Sequence, residues 1–213
     1  MSFSCSVYVS AFVVAILSTD AATRGDVRPT CREPTIFQNI NLTRILGHWY
    51  EYSRYDHDFE QGCDCYTTDV KSIDAISFHV SNCCQMTRVS NETQICNIGI
   101  NNARIVNADK NEALFLYTRN GVESEFWIID TDYENYMIVN GCERVSVNEE
   151  NELFWIMTRD KGIFENVERK IADVLQTNRF EKNKIIQQRH GADVCKSKRP
   201  PMERGNKGRG HGN

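Results

Sequence analysis

The chain has 213 residues, of which 40% are hydrophobic and 25% are charged, and its net charge is −4. This length allows one substantial core and is short for two, so we expect a single domain. Residues 196–213 carry six Lys or Arg against one Glu, which leaves about −9 on the remainder. An acidic body without a base-reading or stacking motif does not favour a nucleic-acid partner.

The first apolar segment, VYVSAFVVAIL at residues 7–17, carries no charge and is too short to span a bilayer. Small residues follow in STDAA, which is typical of the cleavage region of a secretory signal peptide. We therefore predict a signal peptide at residues 1–21 and a secreted, extracellular protein without a transmembrane segment. The segment lacks the usual Lys or Arg before the apolar run, and the alternative is a buried N-terminal strand.

Nine cysteines favour an oxidising compartment, because a cytosolic chain would more often use them for metal binding or catalysis. Removal of Cys5 with the signal peptide leaves eight, which suit four disulfide bonds: Cys31, Cys63, Cys65, Cys83, Cys84, Cys96, Cys142 and Cys195. A thiolate metal site is the alternative, but the CDC and CC pairs lack zinc spacing, so we predict no metal. The sequons NLT and NET predict glycosylation at Asn41 and Asn91.

Eight short apolar or alternating runs follow, separated by turns rich in Asn, Asp, Gly and Ser. They are WYEYSRY, YTTDVKS, AISFHVS, TQICNIGI, ALFLYTR, EFWIID, YMIVNGC and ELFWIMTR. Short links between successive strands favour an all-β, antiparallel up-and-down sheet, and eight strands suffice to close it into a barrel. A sandwich of the same strands is the alternative.

The pattern changes in GIFENVERKIADVLQTNRF, where apolar residues recur with a helical period instead of alternating. These residues are Phe164, Val167, Ile171, Val174 and Leu175. The opposite side is charged, so we predict one amphipathic α-helix that packs on the outside of the sheet. The extended segment KIIQQRH then leads to Cys195, which ends a folded domain predicted at residues 22–195. Residues 196–213 are basic, rich in Gly and poor in apolar residues, which predicts a disordered tail.

Three separated motifs resemble, in order and spacing, the signatures of the lipocalin family: GHWY at Gly47–Tyr50, DTDYENY at Asp130–Tyr136 and FWIMTRD at Phe154–Asp160. One such motif is common by chance, but all three at these intervals, followed by an amphipathic helix and a Cys, are specific. The resemblance is greatest to the apolipoprotein D and insecticyanin-like, bilin-binding branch. It covers about residues 31–195 and implies a barrel with one closed and one open end.

The resemblance implies that the motif residues close the bottom of the barrel. Trp49 would plug it, and Gly47, which has no side chain, would let the first strand enter where the backbone is crowded. Arg159 would pack its guanidinium across the Trp49 ring, a contact that contributes about 0.5–2 kcal/mol. The loop at the same end would hold Thr131, Asp132 and Tyr133.

The resemblance also implies two disulfide pairings. Cys31 would be tied to Cys142, and Cys195 to one cysteine of the CDC segment at residues 63–65. The other pairings stay open. One of the two cysteines in NCCQ meets Cys96 if their strands are neighbours, and the other then reaches the unused cysteine of CDC.

Alternation along the strands identifies the side chains that face the interior above the closed end. If Arg159 faces that end, Met157 and Trp155 share its face, and Trp155 is the principal pocket candidate. Counting from Trp49 adds Glu51, Ser53 and Tyr55. Alignment with the family adds Phe126, Met137, Val139, Phe115, Tyr117 and, in a loop at the mouth, Phe59. This mostly apolar set suits a flat or elongated hydrophobic ligand, and the alternative is a barrel filled by its own side chains.

We therefore expect a secreted lipocalin that binds and carries, or sequesters, a small hydrophobic ligand and is not an enzyme. A bilin, a heme, a retinoid, a sterol or another lipid such as a fatty acid is compatible with the pocket, and no cofactor is required. The five histidines have no metal-ligand spacing, and an unpaired thiol is the remaining catalytic alternative. The rival binding function is a surface-interaction module, in which the acidic body or the basic tail contacts a receptor or an anionic surface.

Overall fold

The computed structural model of the chain describes residues 31–32, 34–86, 93–119, 122–146, 149–191 and 194–195. A few side chains within these ranges, including those of Phe59 and Cys96, are not described. The predicted signal peptide, the Asn91 sequon and the predicted basic tail lie outside the described residues. Within them, every helix is too short or too polar to cross a membrane.

Nine β-strands and one α-helix form the described fold. In chain order they are β1 Gly47–Tyr55, β2 Cys63–Ser72, β3 Ser77–Met86, β4 Thr93–Ile105, β5 Leu114–Arg119, β6 Val122–Thr131, β7 Tyr136–Ser146, β8 Glu149–Thr158, α1 Glu165–Thr177 and β9 Ile185–Gln187. Two single-turn 3-10 helices, Asp58–Glu60 and Lys182–Lys184, lie after β1 and before β9.

The first eight strands close into an antiparallel up-and-down barrel, as the sequence predicts. Each of β2 to β8 pairs with its neighbour in the chain, and β1 pairs with both β2 and β8. The Gly47 half of β1 lies beside β2, whereas residues 53–55 gain β9 as an outer neighbour. Closure removes the free strand edges that an open sandwich would leave, so the alternative fold is wrong.

Alternating side chains separate an inner apolar cluster from an outer one. On β8, Met157 and Trp155 belong to the inner cluster, while Phe154 and Ile156 belong to the outer cluster. Helix α1 covers the outer cluster with four buried residues, Val167, Ile171, Val174 and Leu175. The prediction that Phe164 belongs to this buried stripe is wrong. Phe164 precedes the first helical turn and is 67% exposed.

Two disulfides fasten chain segments that are distant in sequence. Cys31 is bonded to Cys142 on β7, the pair that the resemblance implied, and Cys65 on β2 is bonded to Cys195. The first closes a sequence separation of 111 residues. A loop of that length corresponds to about 4–5 kcal/mol in the chain-entropy description of disulfide stabilisation.

The CC pair is divided between two partners. Cys84 is bonded to Cys63 across β2 and β3. Cys83 also forms a disulfide, and the register of β3 and β4 places it opposite Cys96. Neighbouring residues on a strand point to opposite faces of the sheet, so Cys83 and Cys84 form separate disulfide bonds.

Candidate ligand-binding cavity

The closed end of the barrel is built around Trp49, which is fully buried. Its indole Nε1 donates a hydrogen bond to the carbonyl oxygen of Ile45 at 2.8 Å. The guanidinium carbon of Arg159 lies 3.5 Å from the centre of the Trp49 ring. A planar cation over an aromatic face is attracted by the negative ring surface, and the stack fills the bottom of the barrel.

Arg159 also donates hydrogen bonds to three backbone carbonyl oxygens, and these bonds link separate chain segments at this end. Its Nε donates to Tyr133, its Nη1 to His48 and its Nη2 to Arg44, at 3.1, 3.0 and 2.7 Å. Gly47 has a φ of +96°, and a β-carbon there would lie 3.5 Å from Arg159 Nη1. Gly47 therefore allows a backbone conformation that residues with a side chain rarely adopt.

The turn between β6 and β7 is held by its own side chains. Thr131 Oγ1 donates to the carbonyl of Tyr136 at 2.6 Å and accepts from the backbone N–H of Tyr133 at 2.9 Å. Asp132 accepts hydrogen bonds from the backbone N–H groups of residues 134–136. Burial alone would raise the pKa of Asp132, but these bonds and the Asn135 side chain hold it below its usual value.

A cavity of about 180 Å³ lies inside the barrel, and most of its wall is apolar or aromatic. Seven of the nine predicted pocket residues line it: Trp155, Met157, Phe126, Met137, Val139, Phe115 and Tyr117. The Phe126 and Trp155 rings stack with their centres 5.6 Å apart. The centre of the Tyr117 ring lies 4.9 Å from that of Phe126. These rings form one aromatic wall of the cavity.

Tyr55 lies on the opposite face from the one that simple alternation gives. A bulge between Glu51 and Ser53 shifts the register of β1 against β8. After it, Arg54 stands opposite Trp155 on the inner face, and Tyr55 points outward. The Tyr55 ring packs 5.0 Å from Phe154, and its hydroxyl accepts a hydrogen bond from the backbone of Glu181.

Ser53 is buried beside the same bulge but does not line the cavity. The backbone of Phe59 lies in the 3-10 helix after β1, and its side chain is not among those described. The role of Phe59 at the mouth therefore stays a prediction.

Strands β2 and β3 contribute cavity residues that the sequence reasoning omitted. They are Tyr66, Thr68 and Val70 on β2, and Phe78, Val80 and Asn82 on β3. Each set alternates with period two, so the pattern that located Met157 and Trp155 also applies here. The sequence did not show which alternate residues of β2 and β3 face inward, since neither strand carries a family motif from which to count.

A buried polar cluster interrupts the apolar wall. The Nε of Arg54 lies 3.2 Å from Glu51 Oε1 and 3.0 Å from Glu60 Oε2. Trp155 Nε1 donates to the Glu60 carboxylate at 3.2 Å, and the Tyr66 hydroxyl is hydrogen-bonded to the same group. Glu51, Arg54 and Glu60 are each at most 5% exposed, so this charge cluster is shielded from water.

Burial is the main cause of the titration shifts in this cluster. It raises the pKa of Glu51 well above the usual value, and the neighbouring Glu60 charge raises it further. Burial also raises the pKa of Tyr66, with the Glu60 and Glu51 charges acting in the same direction. Both shifts favour the protonated, uncharged forms of the Glu51 carboxyl and the Tyr66 hydroxyl.

Two further predicted sites lie away from the cavity. Asn41 is exposed, and its side-chain oxygen accepts hydrogen bonds from the N–H and hydroxyl of Thr43 in the sequon. Among the described residues, Cys31, Cys142 and Glu150 form one group compact enough for a metal ion. The two sulfurs are bonded to each other, which removes them as thiolate ligands.

Known proteins resemble this chain over most of its length. The Lazarillo protein of Schistocerca americana is 25% identical over 179 residues, which are 78% of this chain and 77% of the relative. Apolipoprotein D of Mus musculus is 24% identical over 160 residues, 73% of this chain and 79% of the relative. Among solved structures, insecticyanin from the tobacco hornworm Manduca sexta has a TM-score of 0.66 at 20% identity, over 78% of this chain and 89% of insecticyanin. Lobster apocrustacyanin A1 has a TM-score of 0.59 at 13% identity, over 72% and 81%.

The structural likenesses concern the fold, and the sequence settles the family. The profile of the lipocalin-like domain matches residues 40–190, which include β1 to β9 and all three motifs. The barrel is closed, its helix lies outside, and the motif residues meet at one end. The chain therefore belongs to the lipocalin family, in its apolipoprotein D and insecticyanin-like branch.

Proposed function

We propose that this lipocalin is secreted and carries or sequesters a small hydrophobic ligand in the barrel, without chemical turnover. The observation that carries the proposal is the cavity, because the inner cluster leaves about 180 Å³ unfilled behind an apolar and aromatic wall. Burial of apolar ligand surface contributes about 25 cal/mol per Å², offset in part by the cost of immobilising the ligand.

The volume bears on which ligand classes fit. Pockets that hold drug-sized ligands measure about 300–1,000 Å³. A bilin, a heme or a sterol therefore requires wall side chains to move, whereas the single chain of a retinoid or fatty acid requires smaller adjustment. Branch membership keeps a bilin among the candidates, and the aromatic wall formed by Phe126 and Trp155 would stack on a flat conjugated ring.

Secretion is supported by cysteine chemistry. The disulfides of Cys31, Cys65 and Cys63 with their partners require an oxidising compartment, and the apolar run at residues 7–17 suits an export signal. The same bonds argue against catalysis by a thiol. Each cysteine whose side chain the structure describes is engaged in a disulfide.

The test is ligand uptake by the protein secreted from eukaryotic cells. Native mass spectrometry before and after solvent extraction detects a resident ligand, and titration with oleate, retinol, cholesterol and biliverdin measures uptake. Trp155→Ala should weaken the best ligand at least about tenfold, since the indole forms much of the cavity wall. The matched control, Phe164→Ala, removes an exposed aromatic ring outside the barrel and should bind as wild type does.

Failure would take a recognisable form. If wild type carried no extractable mass and took up no member of the panel, carriage would be wrong. The surface-interaction module would then be favoured, and its own signature would be loss of partner binding when residues 196–213 are deleted.

A further inference from the structure

The charged residues that line the cavity have one sign. Among the described lining residues they are Glu51, Glu60 and Glu143, with no Lys, Arg or His. Two of these three carboxyl groups are buried, and Glu143 is partly exposed. A cavity of this kind disfavours an anionic ligand, because like charges repel strongly where water is excluded.

Among the ion pairs that the structure describes, Arg54 is the cation shared by both buried carboxyl groups. Arg54 lies 3.2 Å from Glu51 and 3.0 Å from Glu60, and its further ionic contact, Asp56, has a side chain 65% exposed. A single positive charge balances one buried carboxylate. A second cation beside these two carboxyl groups would therefore stabilise both in their ionised forms.

Glu51 is the carboxyl group whose hydrogen bonding is incomplete. Its Oε1 lies 3.2 Å from Arg54 Nε and accepts a hydrogen bond from Gln188 Nε2 at 3.2 Å. Its buried Oε2 has no hydrogen-bond partner among the described residues. The side chain is fully buried and lines the cavity. A buried carboxyl oxygen without a partner is costly, so a ligand that supplies one gains that energy on binding.

We propose that the ligand of this cavity is an apolar molecule with a protonated amine, and that Glu51 is the carboxylate that receives the amine. The proposal rests on the proposed function, since it assumes that the cavity is occupied. With the amine bound, two carboxylates face two cations and the cluster is neutral without an extra proton. A fatty acid would instead add a negative charge beside the Glu60 carboxylate.

Binding of the amine would favour the loss of a proton from Glu51 to solvent. The groups that face Glu51 are Arg54 on its own strand, Glu60 on the 3-10 helix, Tyr66 on β2 and His190, whose ring nitrogen lies 2.6 Å from the Glu51 carbonyl oxygen. Burial and the Glu60 charge raise the pKa of Glu51 and so favour its protonated form in the empty cavity. Arg54 and the incoming ammonium together stabilise its ionised form.

The test compares three ligands with the same chain and different head groups: decylamine, decanol and decanoic acid. Titration calorimetry at pH 7 should show decylamine binding at least about tenfold more tightly than decanol, with decanoate weakest. Repeating the decylamine titration in buffers of different ionisation enthalpy should show release of protons on binding. Glu51→Gln keeps the shape of the side chain and should bring the ratio of decylamine to decanol affinity close to one.

The matched control is Glu168→Gln, which neutralises an exposed carboxylate on α1, outside the barrel. It should keep the wild-type ratio. If decanol or decanoate bound wild type as tightly as decylamine, the amine proposal would be overturned while ligand carriage stood. A ratio unchanged in Glu51→Gln would overturn the role of Glu51, and absence of binding by all three ligands would overturn the proposed function as well.

Discussion

Trp49 and Glu51 are successive inner-face residues of β1, yet the regions around them satisfy their polar groups in different ways. At the closed end, Arg159 donates to three backbone carbonyls, and Asp132 accepts from three backbone N–H groups. In the cavity, Arg54 is shared between two carboxyl groups, and one carboxyl oxygen has no described partner. At the closed end these charged groups find their partners within the protein, whereas in the cavity one buried carboxyl oxygen lacks a described partner.

The difference separates stability from binding. A charged side chain that bonds to backbone is fixed by the fold alone and gains nothing from a ligand. A buried carboxyl that lacks a partner costs stability until something supplies one. Changes at the closed end should therefore act on unfolding, and changes beside the cavity should act first on ligand affinity.

The largest expected effect is that of Trp49→Ala. It removes a fully buried indole together with the Arg159 stack and the hydrogen bond to Ile45. We expect the free energy of unfolding to fall by about 3–5 kcal/mol. Urea denaturation followed by far-UV circular dichroism measures it. Phe164→Ala is the control and should cost under about 0.5 kcal/mol; a loss for Trp49→Ala as small as that would contradict the role of the plug.

The next effect is a pH dependence from His57, which lies buried near the cavity with its ring centre 5.0 Å from that of Trp155. Burial, with the Arg54 charge, lowers the pKa of His57 to about 4. Between pH 6.5 and 4 the unfolded chain binds this proton and the folded one does not. The His57 shift therefore leaves the free energy of unfolding unchanged above pH 6.5. As the pH falls from about 6.5 through about 4, it lowers this free energy by up to about 3 kcal/mol.

His57→Gln isolates this contribution. Denaturant unfolding at several pH values should show the stability of wild type minus that of the variant shrinking as pH falls from about 6.5 to about 4. The Glu51 carboxyl has the opposite sign, since its raised pKa favours the folded state on acidification, but it is present in both proteins and cancels. A difference that stays constant with pH would show that His57 titrates normally in the fold.

The sequence predicts the closed end better than the cavity, for a physical reason. Trp49, Arg159 and the turn at 131–133 belong to local motifs that bond mainly to backbone, so the motif carries most of its own environment. Strand phase is also readable where a motif provides a starting point, as on β8. The polar cluster depends instead on the β1 bulge, which turns Arg54 inward and Tyr55 outward. No residue pattern in WYEYSRY predicts that bulge, and Glu60 reaches the cluster from the 3-10 helix after β1.

The smallest effects on stability, and the sharpest contrast between the two regions, come from two glycines. Gly47→Ala places a β-carbon at a φ of +96° and should cost about 1–2 kcal/mol of stability. It lies at the closed end, so it should leave the affinity for decanol as in wild type. Gly141 pairs with Phe126 across β6 and β7, and a β-carbon there would lie 2.8 Å from the Phe126 ring.

Gly141→Ala should therefore displace the Phe126 ring, which forms part of the aromatic wall with Trp155. We expect an overpacking cost of about 1 kcal/mol, but a loss of decanol affinity of about tenfold, because the displaced ring narrows the cavity. The two variants should thus be similar in denaturation and different in calorimetry. Equal loss of affinity in both would mean that strain at the closed end reaches the cavity, and the division between the two regions would fail.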